Sequence, residues 1–155
     1  MKRFTRITLL LGFAVLLTPF VLRALEKPKR MTLEGKVVPI SDLVGKIGSR
    51  LDPDAKPLWL ALVTKEGKIY PLIKESGSRM FFRDKRLLNV PVRLTARALP
   101  GSQLIQVLDM HQVKNGKLHE VFYWCDVCSI RRLEKNLCEC CGGPMDLYIE
   151  PVKQK

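Results

Sequence analysis

All five cysteines of this 155-residue chain fall between positions 125 and 141, as Cys125-Asp-Val-Cys128 and Cys138-Glu-Cys140-Cys141. Two C-x-x-C pairs constrain the fold more tightly than any hydrophobic pattern in the chain. Each two-residue loop turns both thiolates to one side, and the segment between the pairs, Ser129 to Leu137, is long enough to double back as a hairpin. Four thiolates brought together this way suit a tetrahedral, structural Zn²⁺, with Cys125, Cys128, Cys138 and Cys141 as candidate ligands. Cys140 is left either as a substitute for Cys138 or as a free thiol. Gly142 directly follows Cys141, where a positive φ lets backbone amides approach a metal-bound sulfur.

Other uses of the thiols fit less well. Two disulfides suit an exported protein, but five cysteines cannot all pair. A thioredoxin-like site needs its C-x-x-C after a strand and at a helix N-terminus, a context missing here, and Ser129 after Cys128 breaks the haem-attachment motif.

The first thirty residues have a separate character. Lys2, Arg3 and Arg6 precede an apolar run from Ile7 to Leu22, and Arg23, Lys27, Lys29 and Arg30 follow it against Glu26 alone. This is the outline of an export signal. The run is shorter than the roughly 20 residues of a comfortable membrane span. Cleavage after Ala24 would place the large Leu22 at the −3 position, so residues 1–24 are expected to be a signal peptide or, retained, a membrane anchor. The expected localisation is exported to the periplasm or cell envelope. Basic residues on both sides of the run keep a cytoplasm-facing anchored domain as the alternative. The net charge is +12, and basic residues near an anchor favour anionic lipid headgroups by about 1 kcal/mol each close to the surface.

Residues 25–30 read as a charged linker, and a domain over 31–123 follows. Thr32 to Ile40 is β-rich, and Ser41 is placed to cap a short helical turn through Leu43, Val44 and Ile47. Leu58–Thr64 and Lys68–Ile73 form a hairpin turning at Gly67, with Pro71 confining the second strand to an edge or a bulge. Ser76 to Asn89 suits a helix with Met80, Phe81, Leu87 and Leu88 on one face. Two alternating strands then flank Pro100-Gly101, and a further strand follows Asn115-Gly116.

Strand, connector, hairpin, short helix and hairpin in that order resemble an OB-fold, a small five-stranded β-barrel with a helix between its third and fourth strands. The resemblance implies a mainly β fold over about residues 31 to 115. The tail from Trp124 to Leu147 resembles a zinc ribbon, with "CECCGG" as its C-x-x-C-G knuckle carrying one extra cysteine, which assigns the Cys-rich stretch 124–155 to a separate zinc-ribbon-like hairpin. The whole chain resembles uncharacterised small exported bacterial proteins with tails of the "YWCDVCSIRR" and "CECCGGPM" type.

No G-x-S-x-G, phosphate-cradling glycine loop or H-E-x-x-H occurs, and the carboxylates are scattered, so no catalytic set emerges. His111 and His119, the only histidines, read as ordinary strand residues. "RMFFRDKR", Arg79 to Arg86, mixes aromatic and basic residues as single-stranded nucleic-acid sites do. It reads more simply as a core phenylalanine beside a solvated basic face. The expected function is a non-catalytic binding or scaffolding module, anchored or exported, with a structural zinc site and a protein or anionic envelope partner. A thiol-redox or soft-metal-handling protein is the alternative, and a nucleic-acid-binding module a third if the domain faces the cytoplasm.

Overall fold

The computed structural model describes residues 29–153, so the expected signal or anchor lies outside the described residues. Among the described residues no helix is long and apolar enough to cross a membrane.

The chain is mainly β. Among the described residues eight strands, β1 (Arg30–Pro39), β2 (Leu60–Thr64), β3 (Ile69–Pro71), β4 (Pro91–Ala98), β5 (Ile105–Lys114), β6 (Lys117–Cys125), β7 (Ile130–Arg132) and β8 (Asp146–Pro151), form one antiparallel sheet in the order β3-β2-β1-β4-β5-β6-β7, with β8 on β6. The short helices α1 (Ile40–Lys46) and α2 (Arg79–Arg83) are inserted after β1 and β3.

The expected barrel is corrected here: the sheet is not closed. Only one parallel bridge, Leu72 with Ile105, joins the β3 side to β5, backed by an Ile73 N–H to Ile105 carbonyl bond of 3.0 Å. The strands that would close the ring end too soon, since β3 is three residues long and terminates at Pro71, which has no N–H to extend a ladder.

Several turns follow directly from residue type. Asn115 and Gly116 both take positive φ, at 50° and 73°, the requirement of a two-residue hairpin turn. Gly67 does the same between β2 and β3 at 78°. The expected helix over 76–89 is shorter, because the Asp84 carboxylate accepts the Arg86 backbone N–H and so competes with α-helical bonding; α2 ends there, and a 3₁₀ turn over Lys85–Leu87 follows. Ser41 does not cap α1: Pro39 holds the N-cap position, and the Ser41 hydroxyl bonds Asp42 instead.

β4 shows the alternation that sets the core, with Val92, Leu94 and Ala96 turned inward. Val37, Leu62, Ile105, Val107, Phe81 and Leu87 complete its centre. Cys125, Cys138 and Met145 belong to the same hydrophobic cluster. β6 explains the continuity. Glu120 pairs with His111 of β5 on one side and Glu150 of β8 on the other, and Tyr123 pairs with Arg132 of β7 and Leu147 of β8. Thus β7 takes over the side of β6 that β5 leaves, and β6 runs without a break across the expected boundary at residue 124.

Candidate metal centre

β6 carries Cys125 to its end as a buried residue. The chain then turns sharply, the Ser129 N–H donating to the Cys125 carbonyl at 2.8 Å with Ser129 at φ 54°. The second pair repeats this geometry. The Gly142 N–H donates to the Cys138 carbonyl at 2.8 Å with Gly142 at φ 69°. Each C-x-x-C is therefore closed by the fifth residue counted from its first cysteine, and that residue is left-handed both times. Serine accepts the conformation at a cost that glycine avoids.

The two turns place the sulfurs of Cys125, Cys128, Cys138 and Cys141 all within 4.8 Å of one another. Cys125 Sγ and Cys141 Sγ are 3.6 Å apart. Four thiolates around Zn²⁺ at about 2.3 Å have neighbouring sulfurs about 3.8 Å apart, so the cluster has the dimensions of a tetrathiolate site. The donor set agrees, because a group made of four cysteine sulfurs, with no carboxylate or histidine in it, favours a soft or borderline cation. The sequence-derived candidates are brought together, and Cys140 is exposed and outside this group.

Backbone dipoles already divide the thiols. Cys138 is held down to about 7 by the backbone N–H groups of Cys141 and Cys140. Cys128 is pushed up by the neighbouring Cys140 thiol, burial and the other cluster thiols. At Cys125 the Cys128 N–H favours the thiolate, but burial and the thiols of Cys138 and Cys141 outweigh it and the net shift is upward. Four thiols this close cannot all ionise alone; a bound cation removes that repulsion, and binding releases protons. Gly143 donates its N–H to Cys141 Sγ at 3.4 Å, and Cys138 donates its own to the Gly143 carbonyl at 2.8 Å, so the backbone braces the second turn.

The "RMFFRDKR" stretch has its expected layout, with ion pairs added. Phe81 is in the core, and Arg83, Lys85 and Arg86 are exposed with Arg79 half-buried, but the three arginines are also tied to carboxylates. Arg79 and Arg83 both reach Glu134 in the loop between the cysteine pairs, at 2.9 and 3.1 Å, and Arg83 also bonds Asn136. Arg86 turns onto Asp84, donating from Nε to both carboxylate oxygens at 2.9 and 3.0 Å. Tyr123 of β6, fully buried, donates its hydroxyl to the same carboxylate at 2.9 Å. Asp84 is 3% exposed, and Arg86 first, against the cost of burial, holds its pKa down at about 2. Burial and the carboxylate push Tyr123 upward.

This Asp84–Arg86–Tyr123 network and the Glu134 pair were not visible in the sequence as partners. The residues lie up to 55 positions apart, and only their shared contact with β6 and the cysteine loop unites them. The histidines stay outside the centre: His111 Nδ1 lies 3.4 Å from Asp109, and His119 Nδ1 lies 3.1 Å from the Lys117 carbonyl. No protein-family model, curated protein or solved structure matches the chain.

Proposed function

We propose that the chain is a non-catalytic binding module whose C-terminal hairpin is held by one structural Zn²⁺ on Cys125, Cys128, Cys138 and Cys141. The carrying observation is the convergence of four sulfurs within 4.8 Å on two turns of the same backbone geometry. Zinc there supplies folding free energy to a segment whose Val127, Leu133 and Leu137 are exposed and contribute little burial. Cys140 is the surplus thiol in this assignment.

The frame is read as OB-like in strand order, without barrel closure. Support comes from the β3-β2-β1-β4-β5 path, from α2 between β3 and β4, and from the lone Leu72–Ile105 bridge. The tail is read as zinc-ribbon-like on its two knuckles. Residues 1–24 tether the module to a membrane or direct its export to the envelope, a reading that rests on their composition alone. The partner is then an envelope protein or an anionic surface. Elemental analysis of purified full-length protein, with thiol counting on the same sample, tests the metal assignment: one zinc and four protected thiols per chain supports it, and two disulfides without metal refutes it.

One observation favours a second reading. Cys140 is exposed and directly precedes the candidate ligand Cys141, so thiol exchange or handing on of a soft metal has an accessible entry point. Rapid alkylation of Cys140 accompanied by loss of metal would favour that reading over a static zinc site.

A further inference from the structure

A groove of about 430 Å³ lies on the outer face of the sheet, beside α1 and away from the cysteine centre. Its position follows from strand alternation. The inward residues of β1 and β4 include Val37 and Val92, so Val38 of β1 and Pro91 of β4 point outward, joined by the half-buried Val63 and Val113. Leu43 of α1 closes one side. α1 places Ile40, Leu43, Val44 and Ile47 at the spacing of one apolar helical face, yet none of its seven residues is buried, and Ile47 after its end is 81% exposed. The helix therefore roofs an apolar gap that its own side chains do not fill.

The rim has one sign of charge. Lys36, Lys46 and Lys65 line the groove and form no ion pair among the described residues. The lone acid of the lining, Glu34, is neutralised by Arg93 at 2.6 Å. An apolar floor with three free ammonium groups around it selects an amphipathic anion. The volume falls in the range of small-molecule sites, about 300–1,000 Å³.

We propose that this groove binds a single-chain carboxylate of the fatty-acid class, its alkyl chain against Val38, Leu43, Val63 and Val113 and its carboxylate among Lys36, Lys46 and Lys65. This names a ligand for the binding-module reading above, and it does not depend on the zinc assignment, because no lining residue belongs to the cysteine centre. Lysine stems extend the apolar wall while their ammonium heads stay at the water boundary, which suits a headgroup that remains solvated.

The test uses the full chain in nanodiscs of neutral phosphatidylcholine and a photoactivatable twelve-carbon carboxylate carrying its diazirine at the chain end. Adducts are mapped by peptide mass spectrometry, and zinc content is measured on the same sample, so that failure of the metal assignment and failure of this proposal are read separately. The expected result is labelling concentrated on the peptides that carry Val38 to Leu43, Val63 and Val113. Excess dodecanoate should suppress it, and dodecylammonium should not. The triple variant K36Q/K46Q/K65Q alters exposed side chains only and keeps the fold. It should lower labelling at sub-saturating probe about tenfold, since each partly exposed ion pair is worth a factor of roughly two to three. Labelling spread evenly over the surface, labelling confined to residues 1–24, equal suppression by the ammonium analogue, or no response to the triple variant would each overturn the proposal.

Discussion

Replacing Asp84 with Asn isolates the polar lock that joins the helix after β3 to β6. The substitution keeps the shape of the side chain and removes a carboxylate that accepts from Arg86 Nε, from the Arg86 backbone and from the Tyr123 hydroxyl. Removing one member of a fully buried ion pair costs about 3–5 kcal/mol. Here the Arg86 side chain is 59% exposed and rehydrates when freed, which brings the expected loss to about 2 kcal/mol at neutral pH. The pH dependence is a second, independent signature. Asp84 titrates near 2 in the folded protein and near 3.9 unfolded. The folded pKa is the depressed one, so its contribution is fully present above about pH 4 and is lost as pH falls toward 2. The shift corresponds to about 2.5 kcal/mol before allowance for solvent screening through Arg86, and to about 1–2 kcal/mol after it. Urea denaturation of wild type and D84N at a series of pH values therefore should show a gap of about 2 kcal/mol at pH 7 that narrows to below about 1 kcal/mol at pH 2. A gap under about 0.5 kcal/mol at pH 7, or one that stays constant down to pH 2, would refute the assigned network.

Gly35 and Gly77 leave no room for a side chain, because a Cβ at either would overlap the backbone carbonyl of Val63 or Val107; G35A and G77A should each cost more than about 2 kcal/mol by denaturation. C138S should lose zinc while C140S keeps it with nearly unchanged thermal stability, as measured by elemental analysis and calorimetry, and the reverse pattern would move the second turn to the other cysteine. Chelating the metal should lower hydrogen-exchange protection in β7, in β8 and in β6 from Val121 onward, because Cys125 and Cys138 pack in the common core, while β1 to β4 stay protected. Loss confined to 126–144 would show that the tail is uncoupled from the sheet.

What the sequence disclosed tracks the range of the interaction. The Asn115-Gly116 and Gly67 turns, the edge placement of Pro71 and the convergence of two C-x-x-C pairs are each encoded within a few residues, and each is found where local chemistry requires it. Strand pairing is not local. β8, "DLYIEP", is too short and too polar to announce itself, and it exists because β6 offers it a free edge. β1 looks like any alternating segment, yet it pairs with β2 through its second half and with β4 through most of its length. The arginines of α2 give no sign of a common partner because their acceptor, Glu134, lies more than fifty residues away. Asp84 read as one charge among several, since nothing near it in sequence reveals that Tyr123 buries it.

The central claim is that four thiolates at the end of β6 hold one metal ion. X-ray absorption at the zinc edge of the full-length chain, purified without added metal, tests it most directly. The account predicts one zinc per chain with four sulfur neighbours at about 2.3 Å and no nitrogen or oxygen neighbour. A first shell containing nitrogen or oxygen, or a chain that carries disulfides between these cysteines and no zinc, would contradict it.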